Sequence, residues 1–402
     1  MSERPHLLFV VESGSDARLV GGLAEGFELA VLARRIPGGV EVSHPPGKAT
    51  AALTVGPASR LGFAWLVLKT LLARAPRPDF VLAQGYGPAA LAANLVGRLR
   101  GIRTSMLVCS PVELYYRCRR AHPAPDKPFR RRELWAMLLV ARLNALVGGR
   151  YVVLSRHLAE VVGGHGARRV SVAPVYGVDT EVFKPAAEPK RATKERLGLP
   201  RTGSLIFFSS RVAPEKDAET LLDAVRRLLA EGRDLWLLHR SGGHRDFLER
   251  AARFGVAARV VATDAVHPHG QLPDDYRAAD LCVQASREEG LGFSPLEALA
   301  CGTPVVAAAV GGLRETILDG ETGWSYPAGD AAALARAITA ALDDPAEAAR
   351  RAARGRALVE SRYERRAAFA QLRAALADDP ASAAVAGLGH EKEWRHEHAS
   401  RE

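Results

Sequence analysis

The sequence contains few cysteines and none of the usual cysteine patterns. Four are present, and no two have the spacing of a metal site or a redox pair: Cys109, Cys118, Cys282 and Cys301. This usage predicts a reduced, cytoplasmic compartment. The first residues are not predicted to form a signal peptide, because their short apolar run is followed directly by Glu12.

Long apolar segments are also absent. The two most apolar helical patterns, residues 61–73 and 134–147, are too short for a bilayer and contain Lys69 and Arg142. We therefore expect no membrane-spanning helix. The sequence has no Asp-x-Asp pair and no cluster with metal-ligand spacing, so we predict a reaction without a metal or any cofactor beyond its substrates.

Composition and periodicity indicate two α/β domains. The 402 residues, 48% of them hydrophobic and 25% charged, suit a globular protein with two cores. Short apolar runs alternate with helical patterns, which predicts parallel sheets built from βαβ units. Strands are predicted at residues 7–11, 29–33, 80–83, 104–108, 205–209, 235–239, 259–262, 281–285 and 305–308.

The domain boundary is predicted from proline and charge. Residues 183–197 include Pro185, Pro189 and a run of charge, which is typical of an exposed linker. The predicted parts are an amino-terminal domain at 1–186, a carboxy-terminal domain at 187–358, a helix at 359–378 returning to the amino-terminal domain, and a disordered tail at 379–402. Doubly wound domains bind ligands at the carboxyl ends of their strands.

Residues 286–307 have the pattern of a ligand-binding loop followed by a helix. Gly290 and Gly292 permit unusual dihedrals and let a ligand approach the backbone. Ser294 is a favourable N-cap, with Glu297 as the third helical residue of a capping box. The free N–H groups and the dipole of such a helix start suit a diphosphate.

Two carboxylates in this segment are candidates for contact with a substrate. Glu289 lies in the loop, where it would meet a sugar. Glu297 is expected in the first turn of the helix, where it would accept hydrogen bonds from ribose hydroxyls. Each has a structural alternative, since Glu289 could be a solvated loop residue and Glu297 the capping partner of Ser294.

The combination resembles the E-x7-E signature of the retaining glycosyltransferases of family 4. The match continues through ALACGTPVVA (298–307) and VGGLRETILDGETG (310–323). The resemblance implies the GT-B fold, with two Rossmann-like doubly wound parallel-sheet domains facing a central cleft. It implies that Glu289 contacts the donor sugar and Glu297 the ribose, so Glu289→Ala should lose turnover with little loss of stability. The backbone facing the diphosphate and sugar would be that of Gly290, Leu291, Gly292 and Phe293.

Arg211 and Lys216 form a second motif. They lie in a loop after strand 205–209 and before a helix, so they would neutralise a diphosphate and stabilise it as the leaving group. The alternative is an ordinary pair of surface cations. Family 4 members carry an arginine and a lysine at these places, so the resemblance implies the catalytic role.

Further donor contacts follow from the resemblance alone. The family contacts the nucleotide base after the strand that corresponds to 259–261, which indicates Ala265 and Val266. It often has a Gly-Gly loop after its first strand, where this sequence has Gly14. Residues 170–183 resemble the family's interdomain strand and the turn that follows it.

The amino-terminal half departs from the family pattern. A histidine often follows the strand that corresponds to 104–108, whereas this sequence continues with Cys109 and has no histidine there. Ser110 or Glu113 would line the acceptor side instead. Glu113 has an alternative role as an acid at the start of a helix after Pro111.

Residues 115–135 concentrate positive charge in a protein whose net charge is +10. Seven lysines and arginines are interleaved with four aromatic residues. The segment would dock on an anionic membrane near a lipid-linked acceptor, or it is a solvated loop, or it binds an anionic soluble acceptor. Nucleic acid is not expected as a partner, because no nucleic-acid-binding module is visible.

The expected function is retaining transfer of a sugar from a nucleotide-diphosphate donor, by default a UDP-sugar, to a hydroxyl acceptor. The enzyme would be of the hexosyltransferase type, cytoplasmic or peripheral at the inner face of the plasma membrane. It would serve cell-surface glycan, glycolipid or secondary-metabolite synthesis. The alternatives are a sugar-nucleotide epimerase or phosphorylase of the same fold, and a non-catalytic nucleotide-sugar binder that has lost the histidine.

Overall fold

The protein is described by a computed structural model that covers residues 4–13, 15–36, 52–73, 77–121, 128–263 and 272–377. It divides into two compact units. The amino-terminal unit comprises the described parts of 1–110, 135–176 and 366–402, and the carboxy-terminal unit those of 111–134 and 177–365. The chain thus passes between units at Tyr176–Gly177, ten residues before the boundary predicted from the prolines.

The amino-terminal unit is built on a seven-stranded sheet whose neighbouring strands are all parallel. The spatial order is β3-β2-β1-β4-β5-β6-β7. The first strand of the chain, an inner strand of this sheet, is buried along nearly its whole length, with Leu7 between Leu29 and Phe80. The strands are β1 (His6–Val11), β2 (Glu28–Arg34), β3 (Ala52–Gly56), β4 (Phe80–Gln84), β5 (Arg103–Val108), β6 (Tyr151–Val153) and β7 (Val170–Val172).

The carboxy-terminal unit contains a six-stranded parallel sheet. Its order, β10-β9-β8-β11-β12-β13, repeats the 3-2-1-4-5-6 order of a Rossmann domain. Both faces of the sheet are therefore covered by helices, which explains why its strands are apolar without alternation. The strands are β8 (Ser204–Phe208), β9 (Leu235–His239), β10 (Val260–Ala262), β11 (Leu281–Gln284), β12 (Val305–Ala308) and β13 (Trp324–Tyr326).

Helices connect the strands in both units. Single 3-10 turns at Pro214–Lys216 and Ala257–Arg259 and a π-helical turn at Val359–Tyr363 complete the described elements. The helices are α1 (Ala17–Gly26), α2 (Arg60–Leu72), α3 (Pro88–Arg100), α4 (Val112–Ala121), α5 (Arg131–Val147), α6 (Arg156–Gly164), α7 (Lys190–Arg196), α8 (Ala218–Ala230), α9 (His244–Arg253), α10 (Leu272–Ala278), α11 (Phe293–Ala300), α12 (Leu313–Thr316), α13 (Ala331–Asp343), α14 (Pro345–Leu358) and α15 (Arg365–Ala377).

One helix lies outside the domain to which the sequence assigned it. The sequence assigned α4 to the first domain, whereas it packs against the turn Pro214–Lys216 of the carboxy-terminal unit. Most of α15 belongs to the amino-terminal unit, where the ring of Phe369 fills the space beside Gly22 of α1. None of the described helices is long and apolar enough to span a bilayer.

The predicted fold class is confirmed. All nine strands predicted from periodicity are present, with ends within one residue of the predicted ones. Of the remaining four strands, β7 is expected only from the family resemblance, and β3, β6 and β13 are not predicted. β6 and β13 have three residues each, too few for a period-2 pattern, and β3 is an exposed strand at the edge of its sheet.

Candidate active site

The candidate site lies at the switch point of the carboxy-terminal sheet. β8 and β11 are neighbours in the sheet, and the strands that follow each of them extend in opposite directions. Ligands of doubly wound sheets bind outside the carboxyl ends of such a pair of strands. The two loops that begin there, residues 209–217 and 285–292, contain six of the thirteen predicted site residues, among them all three predicted catalytic ones.

Lys216 and Glu289 meet in this place. The ammonium group of Lys216 donates a hydrogen bond to Oε2 of Glu289, and the two side chains are only 14% and 10% exposed. The two residues are 73 positions apart in the chain, so only the adjacency of β8 and β11 brings them together. The structure thus joins two of the three predicted catalytic residues in one ion pair.

Two further hydrogen-bonding side chains orient the Glu289 carboxylate. Its Oε2 accepts from Nε2 of Gln284 at 3.2 Å and from the Ser286 hydroxyl at 3.1 Å. Gln284 in turn accepts from the Ser210 hydroxyl at 3.1 Å, which links the loop after β11 to the loop after β8. Sequence reasoning missed these positioning residues, although Gln284 and Ser286 flank the end of a predicted strand.

Tyr115 provides a contact from a different element. Its hydroxyl donates to Oε1 of Glu289 at 3.4 Å, from helix α4 of the same unit. The sequence had placed Tyr115 in the basic segment and not in the site. Glu113 is buried in the first turn of α4, as the structural alternative predicted, whereas Ser110 belongs to the other unit.

Arg211 is separate from this cluster. Its guanidinium pairs with the carboxylate of Glu215 at 2.8 Å, and 65% of its side chain is exposed. The predicted pair of cations is therefore divided between a buried lysine beside Glu289 and an exposed arginine on the same loop. Arg211 remains free to move toward an anionic ligand at little cost, because an exposed ion pair is weak.

Asp217 holds the two loops together. It has a left-handed backbone (φ 47°), which aspartate tolerates better than most residues, and it caps α8 by accepting from the backbone N–H of Thr220. Its carboxylate also pairs with Arg287 of the second loop at 2.9 Å. A backbone bond from Arg287 to Glu215 at 2.8 Å closes the connection. The turn that carries Lys216 is therefore fixed relative to Glu289.

The predicted capping box is wrong. Helix α11 begins at Phe293 and its N-cap is Gly292, which has a left-handed backbone (φ 90°) and no side chain to offer. Glu297 is therefore the fifth helical residue and lies in the second turn. No side chain caps this helix, so Ser294 does not have the predicted role.

Glu297 is a buried carboxylate with a buried partner. The hydroxyl of Tyr276 donates to its Oε2 at 3.1 Å. Burial, aided by the nearby charge of Glu297, raises the pKa of Tyr276 well above its ordinary value, so this hydroxyl stays protonated as a donor. With capping excluded as its role, Glu297 remains a candidate for the ribose contact.

Gly311 and Gly312 support the loop that carries Glu289. The N–H of Gly312 donates to the carbonyl of Glu289 at 3.0 Å. A Cβ added at Gly312 would lie 2.3 Å from the carbonyl oxygen of Gly290, although the backbone at Gly312 (φ −68°) would accept any residue. Close backbone approach is thus the reason for glycine here. Sequence reasoning assigned these glycines to the family motif without a role.

Gly312→Ala should therefore destabilise the carboxy-terminal unit. Forcing a methyl group into this contact shifts the 289–291 loop and should cost about 1–3 kcal/mol, measurable as a lower Tm in calorimetry. Gly163→Ala in α6 is the matched control. Within the described residues nothing lies within 4 Å of a Cβ at Gly163, so its Tm should stay the same or rise slightly. Equal Tm values for the two variants would contradict this role of Gly312.

Three predicted donor-binding residues are not located. Gly14, Ala265 and Val266 lie outside the described residues. Their assignment to the donor site stays a prediction.

A comparison with known proteins identifies the family of one part of the chain. The model of the glycosyl transferases group 1 matches residues 189–358, which contain both loops and helix α11. Residues 189–358 are a group 1 glycosyltransferase domain. The resemblance to family 4 is thereby confirmed for this part of the chain.

Curated relatives of the chain include D-inositol 3-phosphate glycosyltransferases, each matched over part of its length. The D-inositol 3-phosphate glycosyltransferase of Thermobispora bispora is 36% identical over 205 residues, which cover 48% of this chain and 47% of that protein. The enzyme of the same name from Xylanimonas cellulosilytica is 41% identical over 199 residues, 47% of this chain and 46% of that protein. The chain thus spans about half the length of the curated relatives it matches.

Solved structures extend the likeness to the whole fold. Anabaena HepE, crystallised with UDP, superposes with a TM-score of 0.72 at 19% identity and covers 93% of this chain and all of its own. Sucrose-phosphate synthase from Thermosynechococcus elongatus superposes with a TM-score of 0.73 at 23% identity, covering 99% of this chain and 100% of its own. At these identities the likeness establishes the two-domain GT-B fold and not the substrates.

Proposed function

We propose that the protein transfers a sugar from a nucleoside-diphosphate donor to a hydroxyl acceptor with retention of configuration. The observation that carries the proposal is the buried Lys216–Glu289 pair at the switch point of a group 1 glycosyltransferase domain. A cation and a carboxylate held together there match the two halves of such a donor, an anionic diphosphate and a hydroxyl-rich sugar. UDP is the proposed nucleotide, supported by the UDP in HepE.

In the proposed reaction, the Lys216–Glu289 ion pair opens when the donor binds. The Lys216 ammonium turns from Glu289 to the diphosphate and stabilises the charge that develops as the anomeric C–O bond breaks. Glu289, still held by Gln284 and Ser286, accepts hydrogen bonds from the sugar hydroxyls and orients the ring. The acceptor oxygen bonds to the anomeric carbon on the face that the diphosphate leaves, and its proton passes to the departing diphosphate. No protein nucleophile and no metal enters this scheme.

The acceptor is proposed only as a class. The relatives named for inositol 3-phosphate match about half of their length, so their acceptor is not transferred to this chain. A hydroxyl acceptor on a lipid, reached at the inner face of a membrane, remains part of the proposal. Of the basic segment 115–135, residues 122–127 lie outside the described residues, and the described part contains Arg130, whose backbone N–H bonds to Tyr116.

A thermal-shift series tests the donor site. UDP, GDP and ADP are added separately to the full chain, and one of them should raise the Tm. A ligand at about 100 times its Kd stabilises the folded state by about 2.7 kcal/mol. The preferred nucleotide then selects the sugar donors to be incubated with and without hydroxyl acceptors, in the presence of EDTA.

The products distinguish the alternatives. Transfer that depends on the acceptor and persists in EDTA supports the proposal. Conversion of the donor without an acceptor would indicate an epimerase, and release of a sugar phosphate in phosphate buffer a phosphorylase. If none of the nucleoside diphosphates changes the Tm, the proposed donor site at Lys216 and Glu289 is contradicted.

A further inference from the structure

Three helices form one layer on the amino-terminal sheet. Helices α2 and α3 pack against each other along their length. Helix α3 is joined to α5 by a buried side-chain hydrogen bond, in which Nδ2 of Asn94 donates to Oδ1 of Asn144 at 2.9 Å. Asn144 also donates to the carbonyl of Tyr86 at 2.9 Å, which anchors α5 to the loop after β4. The layer therefore has one inner face against the sheet and one outer face.

The outer face of this layer is apolar. Among the described residues thirteen large apolar side chains are exposed, and nine of them belong to these three helices. The outward side of a helix in a water-soluble layer is normally polar, and clustered exposed leucines and tryptophans mark an interaction surface. The nine residues are Leu61, Trp65, Leu72, Leu95, Leu99, Trp135, Leu139, Leu143 and Leu146.

Helix α5 shows the pattern most clearly. Trp135, Leu139 and Leu146 are 70%, 59% and 73% exposed, and their spacing places them on one side of the helix. Ala141 and Asn144, on the other side, are fully buried. This helix is thus held by its inner side while its outer side offers leucines and a tryptophan to the surroundings.

The charges of the layer have one sign. Helices α2, α3 and the part of α5 from Trp135 onward contain no aspartate or glutamate. Their charged residues are Arg60, Lys69, Arg98, Arg100 and Arg142. Two copies of this face brought together would oppose arginine to arginine without an acid to pair with. A surface of fixed negative charge is the complement instead.

We propose that the outer face of the α2–α3–α5 layer docks on an anionic lipid membrane, with Trp135, Leu139 and Leu146 inserted among the headgroups. Helices that lie in the interface combine such leucines and tryptophans with arginines and lysines that attract acidic lipids. This surface differs from residues 115–135, the segment predicted from cations interleaved with aromatic residues, and the two share Trp135. The membrane proposal rests on the exposed apolar face and not on the proposed sugar transfer. Binding to a membrane would nevertheless bring the enzyme to the proposed lipid-linked acceptor.

Vesicle flotation of the full chain tests the surface. Wild-type protein should float with vesicles of equal parts phosphatidylglycerol and phosphatidylcholine and much less with phosphatidylcholine alone. High salt should weaken the binding only in part, because it screens the arginines and leaves the apolar contacts. The double variant Leu139→Glu/Leu146→Glu should lower the bound fraction at least about tenfold. Leu318→Glu, at an exposed leucine of the other unit, should bind like wild type.

Two controls make each outcome decisive. Without lipid, the double variant should keep the wild-type Tm and nucleotide response, because both leucines already contact water. Flotation is measured without a sugar donor, so a negative flotation result does not bear on the transfer proposal. Wild-type protein that stays at the bottom of the gradient, or a double variant that floats normally, overturns the proposal. So does a concentration-dependent dimer that the double variant dissociates, since the face would then join two copies.

Discussion

Lys216→Met should lower kcat about 10²–10³-fold, the loss typical of removing one group that stabilises charge in a transition state. The KM for the donor should rise less, because the charge that Lys216 meets is greatest when the diphosphate leaves. Methionine keeps much of the length and apolar volume of the lysine stem. Lys184→Met, at a half-exposed lysine of the same unit, is the control and should retain full activity. Initial-rate kinetics with the donor identified by thermal shift provide the measurement.

The same pair makes a second measurement possible. Glu289→Ala should lower kcat about as much as Lys216→Met does. It also leaves the buried Lys216 without its partner. Removing one partner of a buried ion pair costs about 3–5 kcal/mol of stability. We therefore expect Glu289→Ala to lower the Tm clearly, in place of the small loss of stability expected from the sequence. The double variant Lys216→Met/Glu289→Ala should regain part of the stability without regaining activity. Additive losses of Tm in this cycle would show that the two charges do not interact.

Glu297→Gln should raise the KM for the donor about ten- to a hundredfold, because a hydrogen bond to a charged group contributes more than one to a neutral group. The Tm should change little. The glutamine carbonyl can still accept from Tyr276, and the helix start is made by Gly292 and not by a capping box. Donor-dependent kinetics and calorimetry of the same preparation give both values.

Tyr276→Phe is the control for Glu297. It removes the internal donor and leaves the carboxylate in place, so it should lower the Tm while the donor KM changes less than in Glu297→Gln. A Glu297→Gln enzyme that binds donor like wild type would assign Glu297 to the Tyr276 contact alone.

Strand positions were predictable to within a residue because a buried parallel strand is a continuous apolar run, as in LIFF of β8 and LCV of β11. The cap of α11 was not predictable in the same way. Capping rules favoured Ser294, a correct local preference. The glycine at 292 prevailed because the chain turns there with a left-handed backbone and packs closely against Leu313, where a Cβ would lie 2.5 Å from the leucine.

The site residues also differ in whether local sequence could predict them. Glu289, Glu297 and Lys216 are candidates on sequence alone, since loops at strand ends and family motifs are local. Gln284, Ser286 and Tyr115 were not, because their role exists only where they touch Glu289. The role of Gly312 likewise depends on a carbonyl that is 22 residues away in the chain.

By itself the sequence determined two parallel α/β sheets, the group 1 motif and the charges proposed to meet a nucleotide-sugar, because each depends on residues close together in the chain. Only the tertiary structure decided which charges pair. The order of β8 and β11 in the sheet joins Lys216 to Glu289 and leaves Arg211 with Glu215. Burial decides the rest, since an ion pair removed from water is strong and specific whereas the same pair on the surface is weak.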